Sequence, residues 1–227
     1  MPASPNLTQV TRLRCVNAYL VGEDDGLTLV DTGIPGSAKA ILAAAGALGA
    51  PIVRIVLTHA HGDHIGSLDP LVERLPGVEV SIGEREARLL RKDKTPDPGE
   101  PEDAKYRGGY PGAKTRPSRQ LNVGDRVGSL EVHAAPGHTP GQIALLDTRD
   151  QTLIAGDAWV TLGGVATSAK PNPRFPLPAL ASWHRPTALA TAQQLRALDP
   201  ARLAAGHGKI VDAPGPQMDA ALKRAEG

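Results

Sequence analysis

The chain has one cysteine, Cys15, in 227 residues. That excludes an internal disulfide and any thiolate metal cluster built within one chain. Cys15 falls in the run Arg12-Leu13-Arg14-Cys15-Val16, which reads as a strand with a buried thiol. Aromatic residues are only 3% of the composition, so the core must be largely aliphatic and the few rings are informative by their positions. An excess of charge is missing too, since 25 basic and 24 acidic side chains leave a formal net charge of +1. No global field draws in a polyanion, which argues against a nucleic-acid partner. No apolar run is long enough to span a bilayer, so no membrane partner is expected. Residues 1–6 lack the basic start and apolar core of a secretory signal. A cytoplasmic location is expected.

What is present is a chain that is 41% apolar, enough for a substantial core in one domain over residues 1–227. Short apolar runs bounded by Gly, Pro and Asp read as strands at 8–14, 17–21 and 27–31, with 23–26 as a hairpin turn. Residues 36–48 are Ala-rich without proline and predict a helix. Residues 52–57, apolar except for Arg54, predict a strand buried on both faces. Helices are expected at 65–75 and 84–90, with a strand at 78–82 between them. Residues 92–119 carry five prolines and read as a long surface loop. Strands follow at 121–123, 129–134, 143–147 and 152–155. A second irregular stretch covers 163–178, then come a helix at 187–198, a strand at 202–205 and a closing helix at 216–225. Strands in both halves with flanking helices imply sheet packed on sheet with helices outside, an α/β class.

The chemistry concentrates in Thr58-His59-Ala60-His61-Gly62-Asp63-His64. Imidazole nitrogens and carboxylate oxygens are natural ligands of zinc and its first-row neighbours. The chain has seven histidines, and three of them fall within six residues here, against chance. The run follows the buried strand at 52–57, so its side chains start from a rigid base. Three later strands end alike, in Gly137-His138, Gly156-Asp157 and Gly206-His207. His133, within a strand, is expected to face solvent or support a ligand, and His184 to start a helix. Tyr106 and Tyr110 lie in the first long loop, and Trp159, Phe175 and Trp183 in or beside the second, where they could wall a pocket. Residues 88–119 hold nine basic against five acidic side chains, a local excess that would attract an anionic small-molecule substrate.

With these residues in hand, the sequence resembles the metallo-β-lactamase-fold hydrolases. The resemblance runs from Leu29-Val30-Asp31-Thr32-Gly33 through His59-x-His61-x-Asp63-His64 and Pro136-Gly137-His138-Thr139-Pro140-Gly141 to Gly156-Asp157 and Gly206-His207-Gly208. It implies a four-layer αβ/βα sandwich with two divalent metal ions at one edge, zinc being favoured over manganese or iron. One ion would be held by His59, His61 and His138, the other by Asp63, His64 and His207, with Asp157 bridging. Asp31 would orient a ligand or cap its strand end. Lactamases of this fold carry cysteine or serine where this chain has Asp157, so the glyoxalase II and lactonase-like branch is the better resemblance. The stretch after Gly208 leaves no room for glyoxalase II's helical glutathione-binding domain. The implied reaction is attack of a metal-bridged hydroxide on the carbonyl of a small ester, lactone or thioester, with Asp63 a ligand that also handles a proton. Persulfide dioxygenases, which use one iron in the same fold, are the alternative.

Overall fold

The structure, a computed structural model, describes residues 6–227. The segment 1–5, most of the stretch read above as lacking a secretory start, lies outside the described residues. The first half comprises β1 (Leu7–Arg12), β2 (Val16–Glu23), β3 (Gly26–Val30), α1 (Ala38–Leu48), β4 (Ile52–Leu57), α2 (Gly62–Ile65), α3 (Leu68–Arg74), β5 (Glu79–Gly83), α4 (Glu84–Leu90) and β6 (Arg119–Leu121). The second comprises β7 (Arg126–Val127), β8 (Leu130–Ala134), β9 (Ile143–Asp147), β10 (Thr152–Ile154), β11 (Trp159–Val160), β12 (Ala166–Thr167), α5 (Leu177–Leu180), α6 (Arg185–Ala197), β13 (Arg202–Ala204), β14 (Val211–Asp212) and α7 (Gly215–Glu226).

Two six-stranded sheets result, ordered β1-β2-β3-β4-β5-β6 and β14-β13-β10-β9-β8-β7. The first is antiparallel through β1, β2 and β3 and parallel from β3 to β6. The second is antiparallel except where β10 meets β13. Three apolar clusters separate four layers. One joins the first sheet to α1, α3 and α4 through Leu29, Ile41, Ile55, Leu71 and Leu89. Another joins the second sheet to α6 and α7 through Leu153, Leu195, Leu203 and Met218. The third lies between the sheets, where Val30, Val56, Val132, Leu145 and Ile154 meet. Because β3 and β4 feed two clusters at once, their side chains are buried on both faces, hence the unbroken apolar run at 52–57. Its exception, Arg54, pairs at the sheet end with Asp25. This is the αβ/βα sandwich expected from the sequence.

Several boundaries differ for local reasons. β1 stops at Arg12 because Leu13 and Arg14 adopt left-handed backbone, φ 48° and 61°, to turn the chain. Cys15 is therefore a half-buried turn residue and not a strand residue. The helix expected at 65–75 is two pieces, α2 and α3, joined through Gly66. A Cβ on Gly66 would stand 2.5 Å from Pro35, so only glycine lets the ligand loop close against the turn after β3. His184 N-caps α6 by accepting from the Thr187 amide, as expected of a helix-start residue. No described helix is long and apolar enough to cross a membrane.

Candidate metal centre

The polar residues singled out above collect at the carboxyl ends of strands. Asp31 follows β3, the run from Thr58 to His64 follows β4, His138 follows β8, Asp157 follows β10 and His207 follows β13. All seven candidate ligands meet there. His59, His61 and His138 form one cluster of converging donor atoms, and Asp63, His64 and His207 another; His59, His64 and Asp157 converge as well. In each group the atoms lie within 4.8 Å of one another.

Spacing tests whether an ion fits. Two donors about 2.0–2.1 Å from a tetrahedral ion stand about 3.3 Å apart. His64 Nε2 is 3.4 Å from Asp157 Oδ1, His138 Nε2 is 3.5 Å from Asp157 Oδ2, and His207 Nε2 is 3.4 Å from Asp63 Oδ2. His207 Nε2 and Asp157 Oδ2 are slightly closer, at 3.1 Å. His59 Nε2, His64 Nε2 and Asp157 Oδ1 are buried without a hydrogen-bond partner. Each such atom costs about 1–3 kcal/mol unless something satisfies it. Three orphans facing one another fit a cation better than they fit a polar core.

The far side of every imidazole is fixed. His59 Nδ1 lies 3.0 Å from Thr58 Oγ1, whose hydroxyl donates to Asp31 Oδ2. His64 Nδ1 donates to the same oxygen at 2.8 Å. His61 Nε2 donates to the Arg107 carbonyl and His207 Nδ1 to the Cys15 carbonyl, at 3.0 and 2.9 Å. His138 Nδ1 is 3.3 Å from Ser182 Oγ. These contacts hold each ring with its other nitrogen aimed inward, the position a ligand needs. Asp31, read from sequence as an orienting group or a strand cap, does both. Its backbone is left-handed, φ 59°, and Oδ1 accepts from the Thr58 amide. That strain at a buried residue persists because the carboxylate ties β3 to the ligand loop.

Electrostatics divides the cluster. Burial pushes His59 well down, His61 to about 4 and His138 to about 3, so all three are neutral and ready to ligate. Burial also opposes charge on His64 and His207, but Asp157 and further carboxylates overcome it and raise both. Burial works against the Asp157 carboxylate as well, yet His207 and His64 hold it well below its ordinary value. Asp63 is the odd member, with its side chain 38% exposed while the other six are buried. It borders a cleft of about 510 Å³ lined by Ile34, Pro35 and Ile65 together with Gly109, Pro111, Gly112 and Ala113.

Of the rings expected to wall a pocket, two pack on donor imidazoles instead. Tyr110 packs on His61 at 4.5 Å between centroids, and Phe175 on His207 at 5.2 Å. Trp159 is fully buried in the second-sheet core. Trp183 is buried too; its amide donates to the His138 carbonyl, so it braces a ligand. His133 is half-buried beside Glu131 and outside the cluster.

Sequence reasoning missed two supports. Glu86, fully buried on α4, accepts from the Ala60 amide through Oε2 and from the Gly141 amide through Oε1. It thereby clamps the His59–His64 loop to the loop carrying His138. Burial raises its pKa against the pull of these amides. The signal was a glutamate in line with Leu89 and Leu90, on the apolar face of a short helix. Asn17 grips the other side, its Nδ2 donating to the Ala205 and Gly208 carbonyls around His207. Gly206 completes that turn, since a Cβ there would stand 2.1 Å from Asp157 Oδ1. Glu86→Ala leaves the buried Ala60 amide unpaired, at about 1–3 kcal/mol, and the half-buried Gly141 amide with it. Chemical denaturation of the metal-free protein should show that loss, with Glu86→Gln, which keeps one acceptor, falling between. Equal stability of all three proteins would contradict the clamp.

Comparison with known proteins places this geometry. A family model described as the metallo-beta-lactamase superfamily matches residues 12–207. Uncharacterized protein YobT of Bacillus subtilis is 44% identical over 221 residues, 97% of this chain and 94% of that protein. Probable metallo-hydrolase YflN of the same organism is 28% identical over 216 residues, 86% and 81% of the two chains. A hydroxyacylglutathione hydrolase of Xanthomonas euvesicatoria is 32% identical over 148 residues, 63% of this chain and 46% of that enzyme. Among solved structures, TTHA1623 in a di-iron-bound form superposes with a TM-score of 0.66 at 26% identity, covering 92% and 95% of the chains. The BLEG-1 B3 metallo-beta-lactamase shares the fold, with a TM-score of 0.70 at 22% identity over 94% and 96%.

Proposed function

Because the chain belongs to the metallo-β-lactamase superfamily, we propose that it is a dinuclear metal-dependent hydrolase of a small ester, lactone or thioester. One observation carries this reading: the buried Asp157 carboxylate lies within 3.5 Å of inward-facing nitrogens from both donor groups. His59, His61 and His138 would hold one ion and Asp63, His64 and His207 the other, with Asp157 between them. Zinc is the expected metal, with manganese or iron also suited to imidazole and carboxylate donors. Two such ions supply a water deprotonated near neutral pH and a Lewis acid for a carbonyl oxygen, so no side-chain nucleophile is required.

The chain's own residues do the rest. Asp63 alone among the seven faces the cleft, so its carboxylate is placed to take up the proton of the attacking water and return it to the departing alkoxide or thiolate. Ile34, Pro35 and Ile65 give the substrate an apolar wall. Similarity to a hydroxyacylglutathione hydrolase favours acyl-group hydrolysis over other chemistries of the fold. A panel of lactones, thioesters, β-lactams and phosphodiesters tests the assignment. Hydrolysis of a lactone or thioester is expected, and turnover that requires oxygen would replace this reading with an oxygenase.

The segment 91–118 bears on substrate charge. Three of the carboxylates near it are already engaged, since Arg88 pairs with Asp93 and Asp97, and Arg85 with Glu100. Lys105, Arg107 and Lys114 are exposed; Lys105 and Arg107 form no salt bridge among the described residues, and Lys114 lies beside Asp69. The Arg107 carbonyl holds His61, so the segment passes beside the metal centre. An anionic substrate should show kcat/KM falling as salt rises, because exposed charges are screened beyond about 8 Å at physiological ionic strength. Neutralising the three together should flatten that dependence. An unchanged salt profile in the triple variant would remove any steering role.

A further inference from the structure

A sizeable cavity lies away from the metal centre. About 870 Å³ lies between residues 163–174 and one face of α7, within the size range of small-molecule and cofactor sites. Its lining shares no residue with the donor cluster or with the cleft beside Asp63. On α7 the wall is Gln217, Ala220, Ala221 and Arg224, spaced i, i+3, i+4 and i+7 along a single face. The two small alanines explain why there is a hollow: a helix face that would bury bulky side chains presents methyl groups instead.

The charge of this hollow is one-sided. Lys170, Arg174 and Arg224 line it, and no Asp or Glu does. The carboxylates of α7 point away, Asp219 to Arg196 and Glu226 to Gln193, both on α6. Arg224 is positioned by a hydrogen bond to the Val165 carbonyl, which keeps other guanidinium donors free. Lys170 and Arg174 are exposed and pair with no carboxylate among the described residues. In a nearly neutral protein, three cations around a partly apolar hollow call for an anion with an apolar body. Guanidinium and ammonium groups together match phosphate oxygens better than a single carboxylate.

We propose that this cavity binds a phosphorylated small molecule of nucleotide size, at a site separate from the metal cleft. The phosphates lie against Lys170, Arg174 and Arg224, and the apolar body lies over Ala220 and Ala221. The site is close enough to affect the metal centre, because Phe175, next to Arg174, packs on the His207 ring. The inference does not depend on the hydrolase reading, since the lining is independent of the metal donors.

Binding of ADP, pyrophosphate and adenosine to the metal-loaded protein, followed by calorimetry, tests it. Saturable ADP binding is expected, with adenosine at least about tenfold weaker and affinity falling as salt rises. Lys170→Gln combined with Arg174→Gln should weaken ADP at least about tenfold while metal content stays the same, since neither side chain holds another residue in place. Ala220→Glu sets a carboxylate in the hollow on an exposed helix position, where glutamate is well tolerated, and should weaken ADP at least as much. Absence of saturable binding by both ADP and pyrophosphate would overturn the proposal. So would ADP affinity unchanged in both variants, which would place the anion at the metal centre or along the basic loop.

Discussion

Asp157→Ala is expected to lower kcat/KM by far more than the roughly 10–100-fold that removal of a group supporting a ligand costs. The carboxylate is buried between nitrogens of both donor groups, so its loss should release or displace one ion. The fold should survive. Oδ1 satisfies no hydrogen-bond donor, and the one clear partner of Oδ2 is His207 Nε2. Removing the anion also removes the main attraction that raises His64 and His207 against their burial, which offsets part of the lost charge in the metal-free cluster. Metal content, thermal unfolding and turnover of the one variant separate these effects. A protein that kept both ions and full activity would make Asp157 an ordinary turn residue.

The second large effect is a steep pH dependence of metal binding. A metal takes the neutral imidazole, so any proton on a ligand must leave first. His59, His61 and His138 are already neutral near pH 7, burial having pushed them down, and they release nothing. His64 and His207 are raised, despite burial, by Asp157 and other carboxylates, so below their raised values each gives up a proton on binding. Affinity should therefore rise with pH by up to about tenfold per unit for each, until pH passes the raised values. Below about pH 4 the His61 ring begins to compete as well. Zinc titrations in buffers of different ionisation enthalpy count the protons released. Affinity that does not change between pH 6 and 8 would mean that these two rings are neutral without metal.

How much of this was legible in the sequence follows from how local each signal is. A metal-ligand run is local: His59, His61, Asp63 and His64 sit within six residues, and the strand-plus-glycine endings mark His138, Asp157 and His207 separately. The alternation of strands and helices gave the layers for the same reason. What failed to show were relations between distant segments. Glu86 joins Ala60 to Gly141, and Asn17 reaches Ala205 and Gly208; nothing in either neighbourhood names its partner. The turn at Leu13 and Arg14 was hidden because neither residue favours left-handed backbone, and tertiary contacts around His207 impose it. Trp159 was misplaced for a related cause: an aromatic ring beside a loop can face either a cleft or a core, and only packing decides. The hollow against α7 was equally invisible, since it arises from two alanines meeting a loop some fifty residues earlier.

The central claim is that one chain assembles a two-ion centre around Asp157, and metal content tests it most directly. The purified protein, stripped of metal and reconstituted with zinc, should bind close to two equivalents per chain and recover hydrolysis of a lactone or thioester. A single iron per chain, retained unchanged after reconstitution with zinc, would contradict it.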